Sequence, residues 1–121
     1  MNKILSVVSG LALFVALSGT SAAADLKAGK AAFEKNACAS CHGDDAKSST
    51  SPEYPILAGQ HADYLRHALK TYQRGKEGAP TTSNVRNNAV MQGMAEALSD
   101  QEIEDLAAWL ASLPSPLAVR R

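Results

Sequence analysis

The 121-residue chain has few aromatic residues, few cysteines and no net charge. Aromatics make up 5% of it, so aromatic side chains alone cannot fill the centre of a domain. Twelve Lys and Arg balance twelve Asp and Glu. That balance leaves no basic stripe for a nucleic-acid backbone, and nucleic acid is excluded as a partner. No stretch alternates between apolar and polar residues as a half-buried strand does. No apolar run reaches the roughly 20 residues that a membrane-spanning helix needs. The longest, Ile4–Leu17, covers about 14 residues, in the range of a signal-peptide core.

That run follows Lys3 and precedes the small-residue stretch Ser21-Ala22-Ala23-Ala24. A basic start, an apolar middle and an Ala-x-Ala end make a secretory signal peptide, cut after Ala24. Residues 1–24 are therefore read as a cleaved leader and 25–121 as one small domain exported to the periplasm. Asp25 at the new terminus argues against a lipoprotein, which needs cysteine there, so no membrane span or lipid anchor is expected after cleavage. Losing Lys3 leaves 11 Lys and Arg against 12 Asp and Glu. A domain this short buries a modest fraction of its surface, so a large apolar cofactor would contribute heavily to its core.

Both cysteines fall in Cys38-Ala39-Ser40-Cys41-His42. Two thiols at this spacing followed by an imidazole are a c-type haem attachment site. The thiols become thioethers to the haem vinyl groups, and His42 becomes the proximal iron ligand. A disulfide would suit an oxidising compartment but gives His42 no role. A redox dithiol would be expected beside a strand of a βαβ unit. Zinc needs two more ligands at close spacing, and His61 and His67 lie far along a helix-like stretch as surface histidines. Met91 and Met94 stand in a polar, Asn-rich stretch just before a helix. One is expected to be the sixth iron ligand and the other to fill core.

Three helices are expected. Ala28–Asn36 is rich in Ala and Lys, with Gly29 and Phe33 four apart on one face. From His61 to Arg74, Tyr64, Ala68 and Tyr72 recur at helical spacing, flanked by Leu65 and Leu69, and Gly75 is placed as the stop. In the last helix Ser99 and Glu102 form a capping box, Asp100 adds charge favourable to the dipole, and Ile103, Leu106, Ala107, Leu110 and Leu113 form an apolar stripe ended by Pro114. Two long loops separate these helices, one after His42 and one over 76–88. The fold class is all-α. Arg120-Arg121 is a solvated tail.

With these features in place, residues 28–113 resemble a class I c-type cytochrome of the short bacterial kind, including single halves of the di-haem members. Gly29 and Phe33 match the family's glycine and aromatic that pack against the C-terminal helix, where Leu106-Ala107-Ala108-Trp109-Leu110 matches the facing pattern. Tyr54-Pro55-Ile56-Leu57-Ala58-Gly59-Gln60 resembles the segment whose proline carbonyl, here that of Pro55, accepts a hydrogen bond from the proximal histidine. Met91-Gln92-Gly93-Met94, followed by Leu98-Ser99-Asp100, resembles the distal segment, and that register implies Met91 as the axial ligand. The chain departs from the pattern at Ala68, where many relatives have glutamine, and at Asp63, where some have arginine.

The resemblance implies the cytochrome c fold, with terminal helices crossed and a middle helix and long loops around one covalently attached haem c and its iron. An iron closed by His42 and Met91 has no open position for substrate, which suits a single-electron carrier rather than an enzyme. Its partners are then a redox donor and acceptor, met by a monomer in transient complexes. The alternatives are an electron-accepting subunit of a periplasmic dehydrogenase or oxidase complex, and a ligand-binding or sensory haem protein lacking the methionine bond.

Overall fold

The structure is a computed structural model that describes residues 23–80 and 84–116. All but the last two residues of the expected leader, and the Arg120-Arg121 tail, lie outside the described residues. Five helices follow in order: α1 Leu26–Lys35, α2 Ala39–His42, α3 Ala62–Lys76, α4 Ala89–Glu96 and α5 Asp100–Ser112. No strand occurs among the described residues. The all-α expectation holds, with two short helices more than the three read from the sequence.

The frame is set where α1 crosses α5. Asp25 caps α1 by accepting from the backbone N–H of Lys27 and Ala28, which satisfies two of the donors a helix start leaves free. Gly29 then allows the crossing to be close. A Cβ built on it would lie 2.1 Å from the Asp105 carbonyl oxygen and 2.7 Å from Trp109 Cβ. One turn on, Phe33 meets Trp109 with ring centroids 5.1 Å apart at 54°, a tilted geometry that suits aromatic quadrupoles. Ser99 and Glu102 form the expected capping box. Ile103, Leu106, Ala107 and Leu110 are buried along α5.

Helix α3 packs against α4 and α5. Leu65 and Thr71 are its buried residues, and Leu69 packs against the core. Tyr64 is 48% exposed. Gly75 does not end the helix, which continues to Lys76. The left-handed conformation expected of a C-terminal glycine falls instead at Gly78, at φ 77°. Gly75 lies where α3 runs close to the backbone of the following loop, with the Arg86 carbonyl oxygen 2.6 Å from a Cβ built there.

Candidate haem site

The site begins at the end of α1. The backbone N–H of Cys38 donates to Phe33 and that of Ala37 to Glu34, both at 3.1 Å. These two bonds close a Schellman turn whose left-handed position is Ala37, at φ 52°. The chain reverses there and enters α2, capped at Cys38. Cys41 and His42 donate backbone N–H bonds to the Cys38 carbonyl at 3.3 and 3.0 Å. A single helical turn therefore presents the two thiols three apart and the imidazole four from the first, on one side. Both cysteines are free and half-buried. Burial pushes the Cys38 thiol above its usual range, with Cys41 adding to it.

Gly43 ends α2 at φ 80°. A Cβ at that position would sit 2.3 Å from the Ser48 carbonyl oxygen, so only glycine allows the loop to fold back directly behind His42. Asp45 holds this bend, accepting from the backbone N–H of Lys47 and Ser48 at 2.9 and 2.7 Å and from the Ser48 hydroxyl at 2.7 Å. Those bonds hold its carboxyl down at about 2. The buried Ala46 carbonyl then accepts from Leu57 and Ala58 at 2.8 and 3.0 Å. Gly59 donates to Leu110 at 2.8 Å, anchoring the far end of the segment on α5.

This path carries Pro55 to His42. The imidazole is 5% exposed, and its Nδ1 lies 3.0 Å from the Pro55 carbonyl oxygen. A carbonyl only accepts, so Nδ1 carries the proton and donates, leaving the Nε2 lone pair free for a metal. The Tyr54 ring meets the imidazole edge-on at 6.2 Å. A haem c fits these residues. Two thiols free of any disulfide share a helical turn with an imidazole whose tautomer and ring plane are fixed by a neighbouring carbonyl, as for metal-bound histidines generally.

On the other side of the chain, Met91 and Met94 lie not in a loop but in α4, and both are half-buried. Asn88 caps this helix by accepting from the Met91 backbone N–H at 3.0 Å. The polar, Asn-rich run just before it is what makes the stretch read as a loop in the sequence. The segment is tied to α3 by groups that the sequence does not single out. Arg86 donates its backbone N–H to Thr71 at 3.2 Å and its guanidinium to the Tyr64 hydroxyl at 3.1 Å. That guanidinium stands 5.4 Å from the Tyr64 ring centroid and 5.6 Å from that of Tyr72, and its pKa is pushed up, first by the bond to Tyr64. Gln73 donates to the carbonyls of Ala95 and Leu98 at 3.0 and 2.9 Å, and Gln92 to that of Arg86 at 2.9 Å. Two tyrosines at i and i+8 are the signal that could have pointed to a cation between them. His61 and His67 are exposed, and His67 Nε2 lies 3.0 Å from Asn84 Nδ2.

The Cytochrome c sequence profile matches residues 26–114, and the chain belongs to that family. It is 40% identical over 80 residues to the thiosulfate dehydrogenase electron acceptor of Stutzerimonas stutzeri (strain A1501), covering 66% of this chain and 33% of that protein. It is 40% identical over 75 residues to cytochrome c-554(548) of Halomonas halodenitrificans, covering 62% of this chain and 82% of that one. Among solved structures, the reduced recombinant cytochrome c4 from Pseudomonas stutzeri matches at 39% identity and a TM-score of 0.66, over 76% of this chain and 47% of that chain. The chain thus spans a third to a half of the longer relatives and most of the short one. It is a c-type cytochrome, with covalently bound haem c and its iron.

Proposed function

We propose that this protein is a periplasmic mono-haem carrier of single electrons, exported by the leader 1–24, with no catalytic residues of its own. Cys38 and Cys41 hold the haem covalently, His42 is the proximal ligand and Met91 the distal one. When bound, the haem iron supplies reversible one-electron chemistry between Fe(II) and Fe(III). The observation that carries the reading is the His42 Nδ1 contact to Pro55 at 3.0 Å, on the same turn as both cysteines. It supports a proximal ligand whose ring keeps one orientation in both redox states, and a fixed geometry favours fast electron exchange.

The name of the Stutzerimonas relative, an electron acceptor of thiosulfate dehydrogenase, supports a dehydrogenase as the class of donor here. The chain meets its donor and acceptor in transient complexes, as a monomer. Mass spectrometry of the secreted protein tests the reading: the expected mass is that of a chain beginning at Asp25 plus one haem that acidified organic solvent does not extract. A haem-free mass, or an extractable haem, overturns the attachment. Carbon monoxide binding by the unmutated ferrous protein overturns the closed His/Met iron and favours a ligand-binding haem protein.

A further inference from the structure

Asp105 is a carboxylate on α5 that is 6% exposed. The ion pairs among the described residues lie nearer the surface, and none of them includes Asp105. Its side-chain partners are the backbone nitrogen of Asp25 at 2.8 Å and Gln101 Nε2 at 2.9 Å, both on Oδ1. In the uncleaved chain both donors are neutral. A buried carboxylate met only by neutral amides loses much of its hydration without a compensating charge.

The nitrogen that reaches Asp105 belongs to the residue at which the leader is expected to end. We propose that removal of the leader completes the fold: the new α-ammonium of Asp25 is the cation that pairs with buried Asp105 and fastens the start of α1 to α5. The inference rests on cleavage after Ala24. In that hydrolysis, by a signal peptidase, the Ala24–Asp25 peptide bond breaks, water gives its hydroxyl to the Ala24 carbonyl carbon and a hydrogen to the Asp25 nitrogen, and a solvent proton makes the amine an ammonium. A donor already 2.8 Å from Oδ1 gains a full charge without having to move.

Cleavage elsewhere does not give this bond, because only the Asp25 nitrogen stands at that place. The charge sits at the positive end of the α1 dipole, which opposes it. The Asp25 carboxylate, bonded to the first N–H groups of the helix at 2.8 and 3.2 Å, offsets that opposition locally. The bond lies one turn from Gly29, where the two backbones approach most closely, so it secures the crossing at its outer end.

The test compares the holoprotein exported with its own leader and one carrying Gly-Ser inserted between Ala24 and Asp25, which turns the Asp25 nitrogen back into an amide. Each is also made with Asp105→Asn. Mass spectrometry first establishes that the unextended protein begins at Asp25. Urea unfolding is then expected to show that Asp105→Asn lowers the folding equilibrium constant about tenfold more in the Asp25-first chain than in the extended one, the difference between a charged and a neutral donor. Equal losses in the two backgrounds, with the Asp25 start established, overturn the ion pair and leave the export reading standing. A different first residue overturns the processing site and the ion pair together. Should Asp105→Asn not fold, the insertion alone decides: a loss of about tenfold supports the ion pair, and no loss overturns it.

Discussion

His42 has one ring nitrogen committed to the Pro55 carbonyl and a second that is proposed to take the iron, and the mechanism at the scale of single residues turns on what faces that second nitrogen across the haem. Met91 is the proposed partner. Met91→Ala is expected to open the iron, lower the reduction potential and let the ferrous protein bind carbon monoxide, because a neutral thioether favours Fe(II). Met94→Ala should keep the closed low-spin spectrum and cost about 1 kcal/mol, since its side chain is only half-buried. Visible spectra of the two variants with and without carbon monoxide decide it, and an open iron in Met94→Ala but not Met91→Ala moves the ligand by three residues. Arg86 is a second residue with a local role. Its contacts with Tyr64 and Tyr72 join the segment that carries Met91 to α3. Arg86→Ala should destabilise the protein by about 1–2 kcal/mol, two cation–π contacts of ordinary strength, and speed hydrogen exchange over 84–96 first.

Between residues and the whole lie the helix ends, where backbone conformation sets what each element can present. Ala37 occupies the left-handed corner between α1 and α2 at φ 52°, a place where an L side chain costs about 1–2 kcal/mol. Ala37→Gly is therefore expected to raise stability by about 0.5–1 kcal/mol, once the greater freedom of glycine in the unfolded chain is subtracted, as urea unfolding of the holoprotein would show. Glu102 marks the start of α5. Bonding to the Ser99 backbone first, and to Lys35 next, holds its carboxyl at about 2 against an ordinary 4.5. A depressed folded-state pKa gives stability that is full above pH 4.5 and fades as pH falls through about 2. The stability gap between the wild type and Glu102→Ala should accordingly be constant from neutral pH to about 5 and shrink towards pH 2. This capping box was legible in the sequence because it is a local pattern, as were the α1 and α5 pairing residues and the attachment motif. The four-residue α2 was hidden inside that motif, and α4 behind the Asn-rich run before it. On α3, spacing shows that Tyr64 and Tyr72 share a side, not that Arg86 stands between their rings. The polar tie from Arg86 to Tyr64 spans 22 positions and leaves no local trace.

For the molecule as a whole, the side chains that fill the centre are few. Phe33 and Ile103 are the largest fully buried apolar ones among the described residues, and five of the twelve buried hydrophobic residues are alanine. A Cys38→Ala, Cys41→Ala double variant is expected to lose most of its helix content and its cooperative melt, since helices this short are marginal without tertiary packing. Native-like far-UV circular dichroism with a sharp transition would contradict that expectation. The crossing of the first helix over the last has a different kind of consequence. It brings the beginning of the domain to Asp105, and the eight residues from there to Leu113 rise only about 12 Å along α5. The chain thus enters and leaves the domain on neighbouring ground, as in units that tolerate duplication or insertion. Such a unit can be repeated along a polypeptide with a short linker and no rearrangement around its cysteines and histidine. Copying such a module in frame would set haem sites in series along one polypeptide, which is a wire.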